Sequence, residues 1–549
     1  MSNKKNNFIL QAGFLAAAGF ISRIIGMLYV FPVSAIIGTV GLGYYSSAYN
    51  YYTIILLISS YSIPSAISKV IAQKLSLREY RNAHRMFICS LCYVLGVGVL
   101  ASLLLFFGAG LFVEESAIPV LRVFAPTVFL YGILGVLRGY FQAHKSMVQT
   151  SVSQILEQIA NCVVSIGAAY GLIMMSVGTL EVSTDPIVEN NRAVYGAMGS
   201  AIGTGAGVVV ALLFMLGVYG LNHKLIHNRI KRDRHERVDS YGDITRTIMS
   251  VVMPFILSTA AYNVSSALNN KLYTVISIYH NQMEETAAYG NYGIFNGEAM
   301  KISNIPIAFA SAMAAAIIPT ISQLVAVEDK EEARRKIHQA VKTIMLLSIP
   351  SAFGLFALAQ PIIGLLFPRE QNVTLAVGAL MTLAPSVVFY ALSTLTNSIL
   401  QGVGKVNTPI KHALVALLLQ TAVLVPILWF TDLDIYGLVI ASSLYSLVIC
   451  ILNQQAVRKA LGYKQEVIRT FMIPSFCAMI MAAISFGVYH GLYALLSSNL
   501  LAFVPALIVA VVIYFVLLVV LGGVTESELR AMPKGYLLVE VMKKTKLLR

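Results

Sequence analysis

The sequence predicts an all-α polytopic membrane protein with 14 transmembrane helices. Two parallel six-helix bundles, related by a pseudo-two-fold axis, are followed by two extra C-terminal helices. Three observations predict this. Of 549 residues, 57% are hydrophobic and 12% charged, and the mean hydropathy is +0.76; a soluble chain of this length covers itself with charge. The apolar runs are about 20–35 residues long, far beyond the ~10-residue alternating strands of an outer-membrane barrel. Finally, basic residues collect in every second connection, and a set of short motifs recurs in order.

The apolar segments are 8–37, 42–72, 86–112, 119–142, 149–176, 193–220, 247–279, 287–326, 337–367, 374–401, 409–430, 435–456, 470–494 and 500–523. The first follows a basic start, MSNKKNNFIL. It is too long for a signal peptide, and no small-x-small cleavage site precedes a soluble domain, so it is expected to be retained. With a cytoplasmic N-terminus, the inner connections and C-terminal tail, together with Lys411 at the inner mouth of segment eleven, hold thirty Lys and Arg, and the outer loops hold two, Arg192 and Arg369. The outer loops carry ten acidic residues, among them Glu114, Glu115, Glu284 and Asp432. Such a bias places both termini in the cytoplasm. The net charge of +14 therefore reports orientation, and no nucleic-acid partner is expected. The run His223–Arg237, HKLIHNRIKRDRHER, is expected to be a lipid-facing cytoplasmic linker. All five cysteines fall in apolar segments; Cys89 and Cys92, one helical turn apart, are read as packing residues.

The linker divides an internal repeat. APTVFLY from Ala125 matches APSVVFY from Ala384, and GLF at 110–112 matches GLLF at 364–367. IPSAIS from Ile63 matches IPTIS from Ile318, and LRGYFQ at 137–142 parallels LQGVGK at 400–405. Four matches in one order signal duplication. The expected domains are 1–222, an N-terminal six-helix bundle; 223–246, a basic linker; 247–456, a second bundle; 457–523, helices thirteen and fourteen; and 524–549, a basic tail. Two parallel repeats that rock about a shared cavity are the architecture of a transporter.

Seven cations remain inside the helices: Arg23, Lys69, Arg122, Arg138, Lys271, Lys301 and Lys342. Two carboxylates accompany them, Glu157 and Glu298. Lys69, Arg122, Arg138 and Lys342 lie near segment ends and are expected to snorkel to water. Arg23 is different. It lies roughly 20 Å from either end of its segment at ~1.5 Å per residue, and a centred arginine costs on the order of 3 kcal/mol to insert. Glu298 and Lys301 are three apart, so they can pair as neighbours on one helix face. Alternatively Arg23 and Lys301, from opposite halves, face one hydrated cavity, with Lys271 assisting. Segments one and seven contain no acid, whereas a cation exporter is expected to hold one there. Excess guanidinium and ammonium favour an anion, above all phosphate. Glu298 or Glu157 is assigned to charge balance or to coupling.

Gly199, Gly203 and Gly207 recur every fourth residue and predict close helix packing. Pro32, Pro64, Pro254, Pro306, Pro319 and Pro385 interrupt segments and mark candidate bends. No Walker loop, metal signature or catalytic triad is present, so neither enzyme activity nor a cofactor is expected. Energy is expected from the membrane potential, Na+ or H+.

SRIIG at 22–26, IPSAISK at 63–69, LRGYFQAHKSM at 137–147 and SQILEQI at 153–159 resemble the polysaccharide-transporter branch of the MOP exporter superfamily. Within it the chain is similar over its full length to the Gram-positive MurJ-like flippases, the YtgP and SpoVB group. The resemblance implies a bacterial cell-membrane flippase for an undecaprenyl-diphosphate-linked saccharide, lipid II in the MurJ case, with cell-wall synthesis proteins as partners. The family's helix-one arginine after serine falls on Arg23. Its helix-eight cation, five residues before a proline and ahead of P-T-x-S, falls on Lys301. The resemblance implies that both bind the diphosphate and that helices thirteen and fourteen hold the lipid tail. Tyr29 stands where Gram-negative relatives have a second arginine, and lysine replaces the usual arginine at 301. Spore-cortex, capsule or teichoic-acid units are alternative substrates, and a MATE-type multidrug exporter is an alternative class.

Overall fold

The computed structural model describes residues 18–525, apart from 20, 23, 58, 60–62, 145, 182–184, 232, 234–238, 371 and 406. Among these residues there is helix and no strand. Ten helices are long and apolar enough to cross a membrane, or eleven if the bent pair Val373–Leu383 and Ser386–Gly402 is one span. The protein is a helical, multi-pass membrane protein. This number is compatible with the fourteen expected segments: Ile24–Leu56 carries parts of the first two in one helix kinked at Gly38, and segment seven lies in the helix Tyr241–Val275.

The chain packs as two compact units, up to Gly293 and from Ile294. The first contains α1 (Val30–Leu56), α2 (Ile63–Ser76), α3 (Tyr80–Phe107), α4 (Ala109–Phe112), α5 (Ile118–Ala143), α6 (Val148–Ser176), α7 (Pro186–Lys231), α8 (Tyr241–Val275) and α9 (Glu285–Tyr292). The second contains α10 (Met300–Ala326), α11 (Lys330–Ala357), α12 (Ala359–Leu366), α13 (Val373–Leu383), α14 (Ser386–Gly402), α15 (Asn407–Phe430), α16 (Ile435–Leu461), α17 (Ile473–Leu496) and α18 (Asn499–Val520). Segment seven and the start of segment eight thus pack with the first unit.

In the first unit, Gly38 turns the chain at φ 71°, a left-handed value that a Cβ disfavours. Arg192 fills the turn: its guanidinium donates to the Ile36 carbonyl at 2.9 Å and to Glu189 at 2.8 Å. A Cβ on Gly38 would sit 2.6 Å from that guanidinium. The predicted small-residue packing is present, because a Cβ on Gly203 would overlap the Ser165 backbone and one on Gly199 the Ala169 backbone. Polar side chains of α8 and α9 are matched by α1. Ser47 donates to Asn270 at 2.7 Å, Asn50 to Tyr292 at 2.7 Å, and Ser266 to Asn50 at 3.1 Å. These bonds satisfy polar groups that lipid would leave unpaired.

The expected linker is shorter than its sequence range, because α7 runs on to Lys231 and α8 begins at Tyr241. Asp233 accepts the Arg81 amide at the start of α3 (2.8 Å), and Arg85 donates to the Asp239 carbonyl (3.1 Å). Residues 1–17 and 526–549, including most of the predicted tail, lie outside the described residues.

The repeat is visible as recurring local devices. A left-handed residue joins α2 to α3 at Arg78 (φ 61°) and α10 to α11 at Glu328 (φ 59°). In each turn the next amide bonds back five residues, Glu79 to Lys74 and Asp329 to Leu324, both at 3.0 Å. A short extra helix follows the third span of each half, α4 after Gly108 and α12 after Leu358. The matched prolines differ: α5 continues through Pro126, whereas α13 and α14 meet at Pro385 with a 45° bend. The unrepeated pair is anchored to the second unit. Its α17 packs on α18 and α11, Tyr514 donates to the Leu346 carbonyl (3.0 Å), and Asn499 to the Pro361 carbonyl (3.2 Å).

Candidate functional site

Position in a helix does not decide what an intramembrane charge does; its partner does. Arg23, one expected diphosphate ligand, lies outside the described residues. Lys301 is the second residue of α10, half-buried between Met300 and the buried Ile302 and Ser303. It makes no hydrogen bond or ion pair among the described residues. An ammonium kept in a span without a carboxylate is available to an anion.

Lys271 is committed. Its Nζ lies 2.8 Å from Glu114 Oε1, and the Tyr279 hydroxyl donates to Glu114 Oε2 at 2.8 Å. This cluster belongs to the first unit, at the end expected to be outer. Burial alone would raise the Glu114 carboxyl. The hydrogen bonds from Lys271 and Tyr279 outweigh that and hold it below the usual carboxylate range.

Glu157 is committed as well. Its Oε2 lies 2.7 Å from an Arg138 guanidinium nitrogen, and Arg138 Nε donates to Ser153 Oγ at 2.9 Å. Arg138 is only 4% exposed, so it does not snorkel as its place near a segment end suggested. Lys342 is also buried, whereas Arg122 is exposed beside Phe106. The Lys69 side chain lies outside the described residues.

Glu298 does not pair with Lys301. Residues Gly293–Ala299 form a π-helical segment, which winds more residues into each turn and breaks the three-residue register of an α-helix. Glu298 is buried, and its Oε2 has no hydrogen-bond partner among the described residues.

Tyr29 is a core residue. It is buried, its hydroxyl lies 3.2 Å from that of Tyr45, and Tyr45 lies 3.2 Å from Thr204 Oγ1. Position 29 is thus filled by a hydrogen-bonded ring. Among the described residues no three His, Cys, Asp or Glu side chains are placed to hold a metal ion.

The family model described as "Lipid II flippase MurJ" matches residues 80–510. The chain belongs to the MurJ family. It is 23% identical over 477 residues to the lipid II flippase MurJ of Bacillus subtilis, covering 84% of each chain. It is 22% identical over 538 residues to stage V sporulation protein B of the same organism, covering 96% of this chain and 98% of that one. Among solved structures, "Lipid II flippase MurJ, inward closed conformation" matches with a TM-score of 0.66 at 13% identity, over 92% of this chain and 97% of that one. An inward-facing MATE family transporter of the MOP superfamily matches with a TM-score of 0.60 at 16% identity, over 80% and 94%. Both structural likenesses concern the fold. A MurJ-family chain is a membrane transporter and not an enzyme.

Proposed function

We propose that the protein flips an undecaprenyl-diphosphate-linked saccharide, lipid II first among them, from the inner to the outer leaflet by alternating access. The single observation that supports this most is Lys301, a cation in a membrane helix with no counter-charge among the described residues. In a MurJ-family chain, a lipid diphosphate is the anion that suits it. Arg23 is the second ligand in this reading, and Lys271 serves to hold α8 to Glu114. The basic connections keep both termini cytoplasmic, and cell-wall synthesis proteins are the natural partners.

Full-length protein in liposomes with lipid II tests the substrate. Exposure of the head group on the opposite leaflet to an impermeant reagent is the expected result. No exposure with lipid II, but exposure with another diphosphate-linked saccharide, would move the assignment to a second reading. That reading, a flippase for a lipid-linked unit used in sporulation, draws on the near full-length match to stage V sporulation protein B. A multidrug cation exporter is disfavoured, because segments one and seven contain no acid to exchange with a cationic drug.

A further inference from the structure

From Gly41 to Leu56, α1 is buried everywhere except at the exposed Tyr49 and the half-buried Asn50, Thr53, Ile54 and Ile55. It packs on α5, α6, α7, α8 and α9 of its own unit, so these positions are a gap in an otherwise enclosed helix. Residues 49, 50, 53 and 54 share one face of it at helical spacing. Tyr49 is 36% exposed, and three buried rings fix it. Tyr45 lies nearly parallel at 5.7 Å, Tyr52 is tilted at 5.7 Å, and Phe124 of α5 is edge-on at 5.9 Å. Beside it, Asn50 Nδ2 donates to the Tyr292 hydroxyl of α9 (2.7 Å), and Asn50 Oδ1 accepts from Ser266 Oγ of α8 (3.1 Å). Ser266 is exposed. These two bonds hold the amide in place and use half of its capacity. One N–H and one oxygen lone pair remain, as do the acceptor pairs of Ser266.

This gap lies at hydrocarbon depth, because Asn50 is roughly 12 Å from the start of its apolar segment at ~1.5 Å per residue. Lipid tails would leave the amide and hydroxyl capacity unmet there, so the gap suits a partner that forms hydrogen bonds. That partner must also cover a tyrosine ring. A sugar ring does both: one face of C–H groups lies on an aromatic ring, and an edge of hydroxyls donates and accepts. A diphosphate calls for cations, and Tyr49, Asn50 and Ser266 are neutral.

We propose that Tyr49, Asn50 and Ser266 form a saccharide-binding face, with a sugar ring stacked on Tyr49 and its hydroxyls bonded to the amide and the serine. The proposal rests on the flippase reading, which supplies a saccharide-bearing lipid. In that reading Lys301 serves the diphosphate, and this face serves the sugar.

Binding of lipid II, and of undecaprenyl diphosphate without a saccharide, to the full-length protein in lipid nanodiscs tests the face. The unmodified protein is expected to bind lipid II more tightly than the bare diphosphate. Tyr49→Ala is expected to weaken lipid II about fivefold, the scale of one aromatic contact, and to leave the bare diphosphate unchanged. Tyr49→Phe and Tyr49→Trp keep a ring and should retain lipid II binding. Ser266→Ala removes only an exposed hydroxyl, is expected to weaken lipid II alone, and keeps the test open if Tyr49→Ala folds poorly. Unchanged lipid II binding in both alanine variants, or an equal loss of both lipids, would overturn the proposal. Equal binding of the two lipids by the unmodified protein would overturn it while leaving the flippase reading standing. Binding of neither lipid would contradict the flippase reading itself.

Discussion

Lys271 and Lys301 look alike in sequence, each a lone cation in a membrane segment, yet the structure uses them in opposite ways. Lys271 is tied to Glu114 at 2.8 Å in the first unit, while Lys301 in the second has no partner among the described residues. The carboxylates divide the same way: Glu157 is neutralised by Arg138, whereas Glu298 Oε2 is buried with no hydrogen-bond partner among the described residues. Lys271 and Glu157 of the first unit therefore sit in finished pairs, and Lys301 of the second does not. Finished pairs hold helices together; an unfinished one awaits a ligand.

The largest expected effect comes from breaking a finished pair. Arg138→Ala leaves the half-buried Glu157 unpaired, and is expected to cost up to about 3 kcal/mol, read as loss of folded protein in a thermal assay in detergent. Arg138→Ala combined with Glu157→Ala should recover part of that loss, and a double mutant as unstable as the single would argue against a coupled pair. Gly203→Val comes next. Its side chain must displace the Ser165 backbone across the α6–α7 contact, so a loss of about 1–3 kcal/mol is expected, and an unchanged melting temperature would contradict that close approach.

Lys271→Ala is expected to do least, under about 1 kcal/mol, because the lysine is more than a third exposed and water screens the pair. Its pH dependence has a definite sign. Glu114 is held below its ordinary value, so the pair's contribution is present above the usual glutamate range near about 4.3 and is lost as pH falls through the folded value. Melting curves of Lys271→Ala and the unmodified protein should therefore differ at neutral pH and converge in acid. A gap that widens in acid would refute the assignment.

The helical rods were legible because apolarity and loop charge are local properties: a segment declares itself without reference to its neighbours. Close packing at Gly199 and Gly203 was legible for the same reason, since a four-residue repeat of small residues places them on one helix face. Pairing was not. Glu114 and Lys271 are separated by 157 residues, and Arg138 and Glu157 belong to different helices. The expected contact between Glu298 and Lys301 failed because three-residue spacing implies one face only in an α-helix, and the chain there is π-helical. Nor did any local signal distinguish Tyr29 as a core residue from Tyr29 as a lost ligand; only its bond to Tyr45 does.

Head-group exposure of lipid II in proteoliposomes containing Lys301→Ala, measured beside Lys301→Arg and Lys271→Ala, tests the central claim most directly. Removing the unpaired cation is expected to reduce flipping by at least about tenfold, the equivalent of one lost charge-assisted bond, with no change in melting temperature. Lys301→Arg should retain flipping, and so should Lys271→Ala. Full flipping by Lys301→Ala would contradict a role for this lysine in holding the diphosphate.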